Sequence, residues 1–177
     1  MLDSENIIIK QAKNGDSEAF GQLYDHYEEQ IYRFIYLKTG QKEDAEDLTH
    51  QVFLQAFRKI KDYKDFGFPF SSWLYRIARN EVIDFYRSKK TNIPLEDVDN
   101  VLKSEEDKKN DLDFKIQLEE VKKAISKLKP EYQDVIIMRF IEDLSIKEVS
   151  RILNKSEGAI KLIQHRAMAA LKKNLKI

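Results

Sequence analysis

The stretch FGFPFSSWLYRIARNEVIDFYR, residues 66–87, decides how the chain folds. Pro69 keeps the residues before it out of a helix, and Ser71 or Ser72 can cap a helix start. At about 100° per residue, Phe70, Leu74, Ile77, Ala78 and Phe85 then share one face, an apolar stripe that reads as core. The other face carries Arg76, Asn80, Ile83 and Arg87, with Arg79 beside them. Trp73 lies next to this stripe, and a loop holding Phe66, Phe68 and Phe70 precedes it. Guanidinium groups attract phosphates, Asn pairs with base edges, and aromatic rings stack on unpaired bases. Such a set suits a nucleic acid that is being opened. An apolar face with a few arginines also makes an ordinary solvated surface, with Trp73 finishing the core, so the rest of the chain must decide.

Upstream, helical spacing continues. Ser4 can cap a short helix to Lys13, with Ile7, Ile8 and Ala12 inward and Gly15 at its end. Ser17 opens a long helix to about Thr39, where Phe20, Leu23, Tyr24, Tyr27, Ile31, Phe34, Ile35 and Leu37 recur at helical spacing and Gly40 stops it. A third helix runs from about Lys42 to Ile60, with Ala45, Leu48, Val52, Phe53, Ala56 and Phe57 inward. Its first turn is acidic (Glu43, Asp44, Glu46, Asp47) and its last basic (Arg58, Lys59, Lys61), which complements the helix dipole. Carboxylates four apart can hold a divalent metal, but no second Glu/His motif completes a site, and helix-start electrostatics explains them. Asp44, Asp47, Gln51 and Gln55 face outward, available to a protein partner.

Composition narrows the class. Of 177 residues, 42% are hydrophobic and 35% charged, which suits small, highly charged helical units. Five glycines and three prolines leave little turn chemistry for an all-β fold, and the absence of Cys excludes disulfides and thiolate metal sites. No apolar run approaches the roughly 20 residues of a membrane helix, and no leader pattern opens the chain; a soluble cytoplasmic protein is expected. Overall neutrality conceals an alternation. Residues 1–57 hold 5 Lys/Arg and 11 Asp/Glu, residues 58–90 hold 9 and 4, residues 91–117 hold 4 and 8, and residues 118–177 hold 13 and 8. Two basic segments therefore alternate with two acidic ones.

Ser88 to Asp113 is polar, acidic and poor in apolar residues, and reads as a tether without a core of its own. Its charge could instead mimic nucleic acid in a basic channel. Helical period returns with Ile116, Leu118, Val121, Ile125 and Leu128, and Pro130 starts the next helix, carrying Tyr132, Val135, Ile136, Met138, Arg139 and Phe140. Ser145 and Glu148 form a capping box ahead of Ile146, Val149, Ile152 and Leu153. Asn154 suits a left-handed turn, and Ser156 can cap a last helix to about Asn174. That helix turns Ile160, Ile163, Ala167 and Leu171 inward; Lys161, Leu162, His165, Arg166, Ala169, Lys172 and Lys173 lie on the opposite arc. Two short helices, a tight turn and a basic outer face on the second make a helix-turn-helix.

The order of these motifs carries a resemblance. EDAEDLTHQVF (43–53), FSSWLYRIARN (70–80) with Asp84 and Arg87, LKPEY (128–132), LSIKEV (144–149), SEGAIK (156–161) and HRA (165–167) together resemble the bacterial sigma factors of the extracytoplasmic-function (ECF) group over nearly the whole chain. The resemblance implies an all-α protein of two small helical domains, 1–90 and 114–177, joined by a flexible acidic linker, 91–113, running towards the RNA exit path. It implies a promoter-recognition subunit in a stress or envelope response, without catalytic residues, cofactor or metal.

Its implied partners are core RNA polymerase (clamp helices of the largest subunit and flap of the second largest), promoter DNA in double- and single-stranded form, and an anti-sigma factor. Asp44, Asp47, Gln51, Leu54 and Gln55 would dock on the polymerase. Lys64, Phe66, Phe68, Trp73, Arg76, Arg79, Asn80 and Arg87 would bind and melt the minus-ten element. Lys155, Lys161, Leu162, His165, Arg166 and Lys172 would bind the minus-thirty-five element. Asn154 stands where many relatives have Gly, and Ala159, Leu162 and Ile163 replace frequent Thr, Ser and Arg, so base contacts of the last helix do not carry over singly. Glu81, near the centre of its helix's apolar face, calls for a salt bridge.

A one-component regulator with a helix-turn-helix and a helical ligand or dimer domain is the rival reading; it predicts a self-associating N-terminal half. A helical enzyme fits poorly: the histidines are His26, His50 and His165, and no phosphate loop or HExxH motif appears.

Overall fold

A computed structural model describes residues 4–92 and 112–175. These form eight α-helices and no strand: α1 (Glu5–Lys13), α2 (Ser17–Thr39), α3 (Lys42–Lys59), α4 (Phe70–Asn92), α5 (Leu112–Ser126), α6 (Pro130–Ile136), α7 (Ile146–Leu153) and α8 (Glu157–Leu175). The acidic stretch read as a linker lies outside the described residues over 93–111, as do the side chains of Ile116 and Leu118.

In the N-terminal unit α2 packs against α1, α3 and α4. Leu23, Ile31, Phe34 and Ile35 of α2, Val52 and Ala56 of α3, and Leu74 and Ala78 of α4 are sealed from solvent. The caps explain the boundaries. Asp16, not Ser17, caps α2, accepting from the amides of Glu18 (3.0 Å) and Ala19 (3.1 Å). Gly40 ends α2 in the left-handed region at φ 74°, which a β-carbon would resist.

Several helix faces differ from the periodic reading. Ser4 makes no side-chain cap, and Ile9 is buried where Ile7 was expected, leaving Ile7 62% exposed. Phe57, read as inward, is 47% exposed: α3 gives way at once to a 3-10 turn over Ile60–Asp62, and Ile60 takes the core position instead. Ser71 and Ser72 lie inside α4 rather than capping it, because the helix already begins at Phe70. Tyr75 and Val82 join the buried face, which is wider than the stripe read from the sequence, and Phe85 is only partly buried against it.

The C-terminal unit packs α8 against α5, α6 and α7. After Ile136 the helix widens into a π turn, Ile137–Ile141, which adds a residue to the turn and ends at Glu142. Apolar periodicity carries no sign of this extra residue, and Phe140 consequently stands half exposed. The capping box at α7 is complete: Ser145 N donates to Glu148 Oε2 (2.7 Å) and Glu148 N to Ser145 Oγ (3.2 Å). Asn154 closes α7 at φ 52°, ψ 49°, as its place in the turn required.

Asn154 yields the clearest stability test. Asn154→Ala should lower the unfolding free energy by about 1–2 kcal/mol through the left-handed penalty on its β-carbon, and Asn154→Gly should not. Urea denaturation of the three proteins measures this.

Candidate nucleic-acid interface

The loop before α4 is built to expose rings. Asp65 Oδ1 accepts from the Gly67 amide at 2.7 Å, and Gly67 takes φ 76°, so the chain turns sharply between Phe66 and Phe68. Phe66 is thrown out to 64% exposure and Phe68 is half-buried. Beneath them Tyr63, Phe70 and Trp73 pack ring on ring, with centroids 5.1–5.3 Å apart. Burial, then the charges of Asp65 and Glu5, push the Tyr63 phenol up to about 12, so it stays neutral in this cluster.

Between the rings and the start of α4 lies a pocket of about 270 Å³, lined by Phe66, Phe68, Ser72, Trp73 and Arg76 among others. The Ser72 hydroxyl is buried and has no hydrogen-bond partner among the described residues. Its burial was missed in the sequence, where it read only as a helix cap.

Lys64 and Arg76 are exposed along this rim, and Asn80 is exposed one turn further along α4. Arg87 lies about 16 Å beyond Arg76 along α4, from a 1.5 Å rise per residue, so it cannot join the same cluster. It pairs with Asp84 at 3.4 Å. Two of the arginines on this side of α4 are engaged across the molecule. Arg76 donates to the Arg151 carbonyl of α7 at 3.0 Å, and Arg79 Nε donates to Asp134 Oδ2 of α6 at 2.8 Å.

These contacts belong to a polar seam between the two units. Asp134, with a side chain 2% exposed, bridges Arg79 and the buried Lys38 of α2. Glu142, also 2% exposed, receives Arg33 through two bonds of 2.8 and 2.9 Å and the Tyr75 hydroxyl at 3.1 Å. Burial, with the Glu142 carboxylate second, drives the Tyr75 pKa well above the phenol range and keeps it a donor. None of Arg33, Lys38, Asp134 and Glu142 was singled out in the sequence. The available signal was charge inside otherwise apolar helical runs, as at Asp134 beside Val135 and Ile136.

On α8, Lys161, Leu162, His165, Arg166 and Lys172 all stand exposed on the outer arc, while Ile160, Ile163 and Ala167 are buried. Ser156 Oγ accepts from the Ala159 amide at 3.2 Å. Lys155 is tied to Glu131 at 2.9 Å. The outer face of α3 is divided. Asp47, Gln51 and Leu54 are exposed, and Phe57 adds an apolar surface one turn from Leu54. Asp44 is held by Lys89 at 3.0 Å, and Gln55 donates to Glu81, so both are half-buried rather than free. The salt bridge expected at Glu81 is thus replaced by an amide. Burial first, then Asp84, raises the Glu81 pKa against the opposing pull of Lys59 and the Gln55 hydrogen bond.

The chain has the two-region organisation of a sigma-70 protein: the family models for Sigma-70 region 2 and Sigma-70, region 4 match residues 23–91 and 124–173. It belongs to the ECF RNA polymerase sigma factors, a family of transcription initiation factors. The ECF sigma factor SigW of Bacillus subtilis is 34% identical over 183 residues, covering 95% of each chain. BldN of Streptomyces coelicolor is 37% identical over 169 residues, covering 93% of this chain and 63% of BldN. Among solved structures, CnrH in complex with the cytosolic domain of CnrY superposes with a TM-score of 0.77 at 25% identity, over 98% of both chains. RpoE of Bartonella quintana, solved with the anti-sigma factor NepR, gives 0.74 at 23% identity over 89% of this chain and 97% of RpoE, a likeness of fold. The all-α, two-unit expectation is met.

Removing the carboxylate at the seam should separate its sides. Asp134→Ala leaves Lys38 and Arg79 facing each other without an anion, and breaking a buried pair from one side costs about 3–5 kcal/mol. Small-angle scattering should show a larger radius of gyration than the parent protein, with helical circular dichroism retained.

Proposed function

We propose that the chain joins core RNA polymerase and directs initiation at its promoters through three separate surfaces, with no catalytic step of its own. Asp47, Gln51 and Leu54 of α3, with Asp44 and Gln55 behind them, dock on the clamp helices. Phe66, Phe68 and Trp73 receive an unpaired minus-ten base, with Asn80 pairing to it. Lys64, Arg76, Arg79 and Arg87 hold the flanking phosphates. The outer arc of α8 enters the minus-thirty-five major groove, with Lys161, Leu162, His165 and Arg166 on bases or backbone and Lys155 and Lys172 on phosphates.

The observation that carries this reading is the ring-lined pocket on the same edge of α4 as Arg76 and Asn80. Melting requires that single-stranded DNA be bound better than duplex. Stacking is worth about 1–3 kcal/mol per base, comparable with the cost of unstacking one. Two rings beside a hydrogen-bonding Asn therefore suffice to tip the balance.

In the same proposal residues 1–90 and 114–177 act as domains, and 91–113 is the acidic strap between them. The protein works in the cytoplasm, in keeping with the lack of any helix among the described residues long and apolar enough to cross a membrane. An anti-sigma factor and a stress or envelope signal complete the reading as partner and occasion.

Trp73→Ala or Asn80→Ala should reduce promoter opening by about tenfold, the equivalent of one lost stacking contact, and leave the first duplex complex intact. Permanganate footprinting with core polymerase on a promoter found by start-site mapping reads the result; normal melting by both variants removes the assigned role. Separately, Lys161→Ala and Arg166→Ala should each lower the salt dependence of duplex binding by about one unit of slope if they touch phosphates.

A further inference from the structure

The pocket before α4 has an occupant at its mouth that belongs to the other half of the chain. The Arg151 guanidinium of α7 lies 5.1 Å from the Phe66 ring centroid and 5.6 Å from that of Phe68. Lys147, one turn earlier, sits 5.7 Å from the Phe68 ring. A guanidinium is planar and cationic, and it is drawn to the face of an aromatic ring, the face on which a base would stack. The Arg151 carbonyl meanwhile takes a hydrogen bond from Arg76, and Arg79 is turned to Asp134.

We propose that Arg151 stands in for the base: in the free chain α7 caps the minus-ten pocket, and unpaired DNA must displace it. This rests on the assignment of Phe66, Phe68 and Trp73 to an extruded base. The masking is partial, since Phe66 keeps 64% exposure, and it is selective. One ring pair and two of the four proposed phosphate cations are turned towards the C-terminal unit. The outer arc of α8 and the exposed part of α3 stay open to solvent. The closed chain can thus reach duplex DNA and a protein partner through those faces while it reads single strands poorly. Opening the seam at Asp134 and Glu142 frees the rings and both arginines together, so exposure of the pocket is coupled to parting of the two units. The apparent affinity for single strands is the intrinsic one scaled by the fraction of open chains.

The sign of one mutation separates this from ordinary charge. Arg151 lies exposed on α7, and Ala is a strong helix former, so Arg151→Ala keeps the fold. If Arg151 were merely one more DNA-attracting cation, its loss would weaken binding. As a cap, its loss should tighten binding by roughly 3- to 10-fold, the span of a cation–π contact in a partly exposed setting.

The probe is a fluorescein-labelled, random-sequence single-stranded 12-mer of DNA, titrated by anisotropy against the full chain without polymerase. Tighter binding by Arg151→Ala, abolished when Trp73→Ala is added to the same chain, supports the cap. Equal or weaker binding by Arg151→Ala, with Trp73→Ala still harmful, overturns the cap and leaves the pocket assignment standing. Indifference to Trp73→Ala in both backgrounds overturns the pocket assignment and the cap with it.

Discussion

A buried carboxylate, Asp134, ties the two halves of this molecule together. It sits almost wholly out of water between the Lys38 ammonium and the Arg79 guanidinium, one from each of two N-terminal helices. A lone buried charge costs several kcal/mol, so each member of the trio is tolerable only while the others stay in place. Glu142 repeats the arrangement with Arg33 and Tyr75. Both acids come from the helix that carries the π turn, and its added residue sets the phase at which Glu142 leaves that helix. What the charges add to the apolar packing shared by the two units is a specific register when closed.

That property matters for a sigma factor, whose two regions address separate stretches of one promoter. Here the seam sets cations on α2 and α4 against anions on the C-terminal unit, beside an apolar cluster that runs through both. Arg79 illustrates the economy: the guanidinium proposed for a phosphate is kept, in the closed chain, on a carboxylate of similar geometry.

Much of this was legible from residue order. Helix number, most helix ends, the capping box at Ser145 and the left-handed Asn154 follow from rules that act over three or four residues. The exposed arc of α8 and the ring-bearing loop before α4 are also local features. The seam was not legible, because Lys38 and Asp134 are 96 residues apart and neither belongs to a short motif. The fate of Gln55 escaped for the same reason: on a wheel it faces outward, and only the approach of α4 gives it Glu81. Phe57 and Ile7 show a smaller limit. At the ends of helices the apolar stripe is decided by the next turn of chain, which periodicity does not describe. Ser72 could not be recognised because a serine near a helix start has an ordinary explanation, and only its lack of a partner among the described residues sets it apart.

Trp73 is the sole tryptophan of the chain, and it stands half-buried against Tyr63 and Phe70 on the wall of the pocket. The molecule therefore contains its own lamp. Indole emission responds to the polarity and the quenchers around it, and here any such change arises at one known place. Arrival of a nucleobase, departure of a helix or admission of water at that wall would each alter the colour or brightness of this light, without a label being attached.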